Sequence, residues 1–454
     1  ITKITNNTLS NNYEAAIDVN YYTASSATTT HLYITNNVVI DTTNYTLAGN
    51  SSDGFGIDIY SGGTSPLNIY VTGNTITSND FHGIRIHTQT GPVLTTVVTG
   101  NTVKNNEGYG LVIADESTSS VSSSSYSVSA NDFINNTLGG IALSAEPASS
   151  GAPVLMTVSG NTVQNNDGSG IVIGLWNSWD AGLDKPGGSV CSDTINSLHE
   201  ISITNNSIIN NTGRGSTNDD GVQGSAIFHC FNGQATITSN RIQNNGSASS
   251  QSIIWIHSQE ASRYVTLENN EISSNESANT VFLSYGSGIP VIQNNNFHDN
   301  STTHDFRSHK SHPSDPVDID NNWWGSSSDT VVQSRIFDWN DDVDYKLADY
   351  TPFLTSPSTS APPSPPQNVA AQTGPTSIQL AWSANPESDV TGYKVYHDTD
   401  AAGYPYATSI DVGNVTSYTI SGLSTGTTYH TAVSAYDADG NESWVSTNTT
   451  VTTL

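Results

Sequence analysis

Residues 98–113 read VTGNTVKNNEGYGLVI, and this stretch decides the fold. Its last four residues place Leu111 and Ile113 on either side of one outward position, which is strand period two and not helical period 3.6. Its opening is an aliphatic residue, two polar residues, Asn, any residue and then an apolar one, a phrase that recurs along the chain. It reads ITNNTL at Ile4, ITNNVV at Ile34, VTGNTI at Val71, VSANDF at Val128, VSGNTV at Val158, ITNNSI at Ile203, ITSNRI at Ile237, LENNEI at Leu267, IQNNNF at Ile292 and IDNNWW at Ile319. The shared Asn falls at Asn7, Asn37, Asn74, Asn101, Asn131, Asn161, Asn206, Asn240, Asn270, Asn295 and Asn322, at spacings of 30, 37, 27, 30, 30, 45, 34, 30, 25 and 27 residues. A Gly-led strand follows in many units, as GIDI at Gly56, GIRI at Gly83, GIAL at Gly140 and GIVI at Gly170.

Segments this short, rich in Ile, Val and Thr and punctuated by Asn-Asn and Gly, are strands joined by tight turns. A single coil cannot bury its aliphatic face, whereas stacked coils make a continuous core. A turn Asn tolerates unusual φ/ψ, and its amide can donate to and accept from its copy one coil away. The expectation is an all-β chain of about eleven parallel coils, roughly 50 Å long at about 4.8 Å per coil.

Across 454 residues, Lys+Arg 12 against Asp+Glu 41 gives a net charge of −29, with only 12% charged residues. So few cations exclude nucleic acid as a partner and argue against anionic lipid. Polar surface must come from Ser, Thr and Asn, which suits stacked coils, because like charges in register would repel along the rod. No apolar run reaches the about 18 residues of a membrane span. The chain starts at Ile1 without a leader and is read as a mature or excised segment. Asn-x-Ser/Thr sequons recur, as at Asn44, Asn135, Asn275 and Asn441, either as glycosylation sites or as by-products of an Asn- and Thr-rich repeat.

The repeats resemble the right-handed parallel β-helix family of pectate lyases, polygalacturonases and alginate epimerases, over residues 1–354. NNWWG at Asn321, IFDWNDD at Ile336 and YTPFL at Tyr350 resemble the ending of such arrays, which implies that Trp323, Trp324 and Trp339 close the C-terminal core. Residues 355–366, TSPSTSAPPSPP, read as an extended linker that does not pack. Residues 367–454 alternate as an antiparallel sandwich. The order of Trp382, SGL at Ser421, TTY at Thr427 and GNES at Gly440 resembles fibronectin type III domains, which implies a spacer or adhesion role in an extracellular or cell-surface setting.

Outward positions of the Gly-led strands give the chemistry. Asp18, Asp58, Tyr60, Arg85 and His87 cluster on successive coils, where two carboxylates about 5 Å apart could act as a glycosidase pair and His87 or Tyr60 could move a proton. Equally, Asp and Arg neighbours on an exposed sheet form ordinary surface pairs. A second cluster combines Trp176 and Trp179 of the long insertion with Phe228, Trp255, His257 and Phe282. It reads either as an aromatic strip for sugar rings or as a strip covered by the insertion, with Cys191 bonded to Cys230 as a staple.

Asp219-Asp220-Gly221 resembles the paired Asp of polygalacturonases, but the Gly-His-Gly, Arg-x-Lys and epimerase Asp-Pro-His segments are missing. Six Lys and six Arg, dispersed, leave no evident means of neutralising a uronate. No cofactor is expected, although Asp341, Asp342 and Asp344, or Asp437, Asp439 and Asn441, carry oxygen ligands at calcium-like spacing. His298, His304, His309 and His312 are too irregularly spaced for a zinc site. Two functions follow. One is a non-catalytic building block that associates with itself or with other surface proteins, its open first coil covered by head-to-tail stacking into filaments. The other is a carbohydrate-active hydrolase or lyase taking polysaccharide on the outward face.

Overall fold

The computed structural model describes the chain except for residues 23–27, 44, 48–49, 53, 90–92, 117–122, 146–152, 175–198, 214–216, 219–220, 223, 231–232, 257–264, 285–289, 311–315 and 401. Three parallel sheets of 12, 10 and 11 strands run side by side, each strand paired with its copies in the coils before and after. In the coil that contains VTGNTVKNNEGYGLVI, Val93–Thr99 belongs to the first sheet, Thr102–Lys104 to the second and Tyr109–Asp115 to the third. Val98, Val103, Leu111 and Ile113 all point into one shared core and are fully buried. Burial of each such side chain stabilises by about 1.5–3 kcal/mol, and registry repeats it down the stack, as in Val71, Val98, Val128 and Val158.

The turns explain the Asn phrase. From Asn7 to Asn322 each backbone N–H and each Nδ2 donates to the Oδ1 of the next Asn at 2.9–3.0 Å. A second ladder, which the sequence analysis missed, runs from Asn79 through Asn106, Asn136, Asn166, Asn211, Asn245 and Asn275 to Asn300 at 2.7–3.2 Å. Its signal was present in the repeated KNN, INN and QNN five residues after the first Asn. The residue before each ladder Asn adopts a left-handed backbone, Gly100 and Gly160 at φ +64 and +62 and Ala130 at φ +52 between them. A side chain there costs about 1–2 kcal/mol, partly offset by the entropy of glycine. Ala130→Gly is therefore expected to raise stability by about 0.5–1 kcal/mol in urea denaturation.

The outward column of the first sheet bears out the polar reading. Thr5, Thr35, Thr72, Thr99, Ser129, Ser159, Thr204 and Thr238 lie in register, uncharged from coil to coil until Glu268 follows in the next. At the C-terminal end Trp324 stacks on Phe297 with ring centroids 4.7 Å apart, and Val332 of the short helix Asp329–Ser334 joins the same core. Trp324 alone of the three expected tryptophans closes that core. Trp339 is 40% exposed and Trp323 is half-buried, because the helix already covers the last coil.

The C-terminal strands form a three-stranded sheet, Ala370–Thr373, Ser377–Ala381 and Ser417–Ser421, and a four-stranded sheet, Val390–Asp398, Thr408–Gly413, Thr428–Asp437 and Thr449–Thr452. Trp382, Tyr393, Val395 and Val433 fill the space between them. The Ser/Pro tract corrects the expectation that it would not pack. Ala361, Ser358 and Ser364 are buried, the Ser358 N–H donates to Asn296 Oδ1 at 2.7 Å, and Ser364 donates through N and Oγ to Glu387 Oε1 at 3.0 and 2.6 Å. Ser358 thus ties the tract to the solenoid and Ser364 to the sandwich.

These contacts belong to a larger one. The sandwich lies along the outward face of the second sheet, where Thr162, Ser207, Arg241, Glu271 and Asn296 form one register column and Gln164, Ile209, Gln243, Ser273 and His298 another. Arg241 Nε donates to the backbone carbonyl of Glu442, and Thr162 hydrogen-bonds Tyr404. Glu271 and Asn296 are completely buried although they point away from the solenoid core.

Candidate functional site

The third sheet brings the predicted cluster together. Its outward column runs Asp18, Asp58, Arg85, Val112, Ala142, Val172, Phe228, Trp255, Phe282, Arg307 and Phe337, one residue per coil. Asn20, Tyr60 and His87 lie beside the first three in the neighbouring column.

Pairing within the cluster is extensive. Arg85 holds Asp58 in a two-pronged bridge, Nε to Oδ1 at 2.8 Å and Nη2 to Oδ2 at 2.7 Å. Its guanidinium also lies over the Phe55 ring, 4.2 Å from the centroid. Both partners are largely shielded from water, with side chains 20% and 12% exposed. Such a planar fork fixes geometry as well as charge. His87 Nε2 sits 3.1 Å from Glu116 Oε2, and the Tyr60 ring meets His87 edge to face with centroids 5.2 Å apart. The Tyr60 hydroxyl donates to Gln89 Oε1. Asp18, the exposed member, accepts from Asn20 Nδ2 at 2.7 Å. Partial desolvation and the Asp58 charge push its carboxyl above the ordinary range. Beside the cluster, buried His82 accepts from the Tyr109 N–H at 2.9 Å, and desolvation together with Arg85 lowers its pKa to about 3, so it stays neutral.

Glu116 and Gln89 were missed from the sequence. Each follows its strand at the start of a loop, where the period-two pattern that located the others has ended.

The middle of the column is buried. Val112, Ala142 and Val172 pack with Tyr109, Leu138 and Phe228 into a small outer core. Beyond it Trp255 is 8% exposed, edge to face with Phe228 and tilted against Phe282, with centroids 5.2 and 5.9 Å apart. Arg307 then stacks among Phe282, Phe337 and Tyr345 at 5.2–5.4 Å. Sugar rings need an open aromatic face, and Trp255 offers little. Trp176, Trp179, Cys191, Asp219, Asp220, His257 and His312, with the side chain of Cys230, lie outside the described residues.

The acidic turns considered for calcium use their carboxylates locally. Asp341 Oδ2 accepts from the Asp338 N–H and Asp342 Oδ1 from the Asp344 N–H, while Asp437 accepts from Asp439 and Asn441. His298 pairs with Glu271, whereas the His304 ring packs on Phe337. Among the described residues no three His, Cys, Asp or Glu side chains are grouped to hold a metal ion.

Sheet order, the Trp382 core and the buried Tyr429 match one domain class, and residues 364–452 match its family model. They are a fibronectin type III domain. Among curated relatives, a Kelch domain-containing protein of Saccharolobus solfataricus is 39% identical over 18% of this chain and 11% of its own. An alpha-amylase of Niallia circulans is 38% identical over 22% of this chain and 8% of its own, and exoglucanase B of Cellulomonas fimi 37% over 24% and 10%. The chain thus spans about a tenth of the length of these relatives, and the amylase and exoglucanase matches come through their fibronectin type III regions. No family model of pectate lyase-like repeats matches the solenoid, whose three long parallel sheets are consistent with a β-helix.

Proposed function

We propose that this chain is a non-catalytic extracellular building block, a parallel solenoid with a fibronectin type III domain fixed along its flank. The observation that carries this reading is the Arg85 fork on Asp58. Both carboxylate oxygens are engaged by Arg85 at hydrogen-bond distance, so neither is left free to face a substrate. A glycosidase needs one carboxylate free to attack or to activate water. The uncharged Thr/Ser column and the packed Ser/Pro tract agree with a rigid spacer. The fibronectin type III domain, present also in an alpha-amylase and an exoglucanase, supports a setting outside the cell. No described helix is long and apolar enough to cross a membrane. Self-association into filaments and adhesion to other surface proteins belong to the same reading, and electron microscopy of purified protein tests the first, discrete particles at every concentration counting against it.

One observation favours a polysaccharide hydrolase instead. Asp18, its carboxyl raised by desolvation and by Asp58, lies one coil from a carboxylate, the arrangement of an acid beside a base. Reducing-sugar release from neutral and acidic polysaccharides separates the two. The building-block reading expects release no higher than the blank, and no difference on Asp18→Asn, Asp58→Asn or His87→Ala. Release by the wild type that Asp18→Asn or Asp58→Asn abolishes would overturn it.

A further inference from the structure

The line where the sandwich meets the solenoid is not closed along its whole length. Beside the Ser/Pro tract it opens into a cleft of about 390 Å³, at the lower end of the roughly 300–1,000 Å³ typical of small-molecule sites. Gln243, Asn244, Ser273 and Asp299 line it from the solenoid, Pro365 and Trp444 from the tract and the sandwich.

Three features describe what fits. Gln243 is 2% exposed, and its Nε2 donates to Ser273 Oγ at 3.1 Å, yet its buried Oε1 has no partner. An orphaned buried carbonyl is destabilising, and a donor entering the cleft relieves it. The half-buried Trp444 ring is braced by Tyr404, centroids 4.9 Å apart, and so offers a rigid apolar surface beside these polar groups. Lastly, the lining holds no Lys or Arg, and its one carboxylate is Asp299. His298 also lines the cleft, but its two ring nitrogens already meet Glu271 and Asp299 at 2.6 and 2.9 Å, so phosphate or uronate would find no unpaired countercharge, and a divalent cation needs more than one hard carboxylate in most sites. Amides, hydroxyls, one carboxylate and one indole are instead the set that recognises a molecule carrying many hydroxyls on an apolar ring.

We propose that this cleft binds one or two rings of a neutral saccharide, whose hydroxyls donate to Gln243 Oε1 and Asp299 and whose ring face rests on Trp444. The site is assembled only when the sandwich is docked, and it lies on the second sheet, apart from the Asp18 to Glu116 cluster on the third. It makes the flank contact a binding element, which the building-block reading does not require.

The test is calorimetric titration of the full chain with cellotriose, maltotriose and diacetylchitobiose, with tryptophan fluorescence recorded in parallel. The expected result is saturable one-site binding of at least one of them. Trp444→Ala should weaken it about tenfold or more, the effect of losing a central aromatic anchor. Gln243→Ala should weaken it at least severalfold, and Trp339→Ala, at the exposed far end, should leave it unchanged. Melting temperatures check that each variant is folded, and Gln243→Ala decides the matter if Trp444→Ala does not fold. Absence of saturable binding with all three sugars, or equal binding by wild type and the folded cleft variants, overturns the proposal.

Discussion

Asn161→Ala should destabilise the solenoid by about 3–5 kcal/mol, because buried donors left without acceptors cost about 1–3 kcal/mol each. Asn161 Oδ1 accepts both the backbone N–H and Nδ2 of Asn131, at 3.0 and 2.9 Å. Its own Nδ2 donates to Asn206 Oδ1 and to the Val128 carbonyl, both at 2.9 Å. Alanine strands the Asn131 N–H, takes from Asn131 Nδ2 one of its acceptors while the Val98 and Ser129 carbonyls stay at 2.9 and 3.0 Å, and removes a donor from Asn206 Oδ1 and the Val128 carbonyl, at a site 2% exposed. Asn161→Asp should be worse at neutral pH, since it keeps the acceptor for Asn131 but sets a buried carboxylate against two oxygen acceptors. Its folded pKa must then lie above the unfolded value, so its deficit should shrink as pH falls and the protonated carboxyl regains a donor. Urea denaturation followed by circular dichroism at neutral and acid pH checks both. A loss under about 1 kcal/mol for Asn161→Ala would mean that the ladder is decoration on strands that stack without it.

His298→Ala should cost about 3–5 kcal/mol near neutral pH, the usual penalty for removing one partner of a buried ion pair. Glu271 has no exposed surface, and its Oε1 lies 2.6 Å from His298 Nε2. On the other side His298 Nδ1 meets Asp299 Oδ2 at 2.9 Å. Burial opposes a charge on the ring, but the Glu271 charge and the hydrogen bonds to both carboxylates outweigh it and raise the His298 pKa well above its ordinary value. A raised histidine contributes stability that is complete below its unfolded pKa of about 6.5 and is lost as pH rises through the folded value. The difference between wild type and His298→Ala should therefore be largest in mild acid and should narrow in alkaline solution. Asp299→Asn should matter far less, because that side chain is 80% exposed and solvent screens it. A wild-type to His298→Ala difference that is constant from acid to alkaline pH would show that the ring acts by packing alone.

The outward column of the third sheet was legible because strand alternation and coil spacing are both local. Once Gly56, Gly83 and Gly110 set the register, Asp58, Arg85 and Val112 had to stack, and they do. Their pairing was not legible, since a column does not reveal whether Arg85 turns to Asp58 or to a ligand. Val112, Ala142 and Val172 continue that column, and the outer core they form with Tyr109 and Phe228 brings together side chains from different coils.

By itself the sequence determined the coil, its period, the first Asn ladder and the place where a sandwich begins to be written, because each depends on residues repeated within about 30 positions or on one domain's own strand pattern. Only the tertiary structure decided that the sandwich folds back on the second sheet, burying Glu271, Asn296 and Gln243 and opening a cleft beside Trp444. Arg241 and Glu442 meet across 201 residues. A contact of that range leaves no period in the chain, and outward Gln, Ser and Glu look the same in a sequence whether water or another domain covers them.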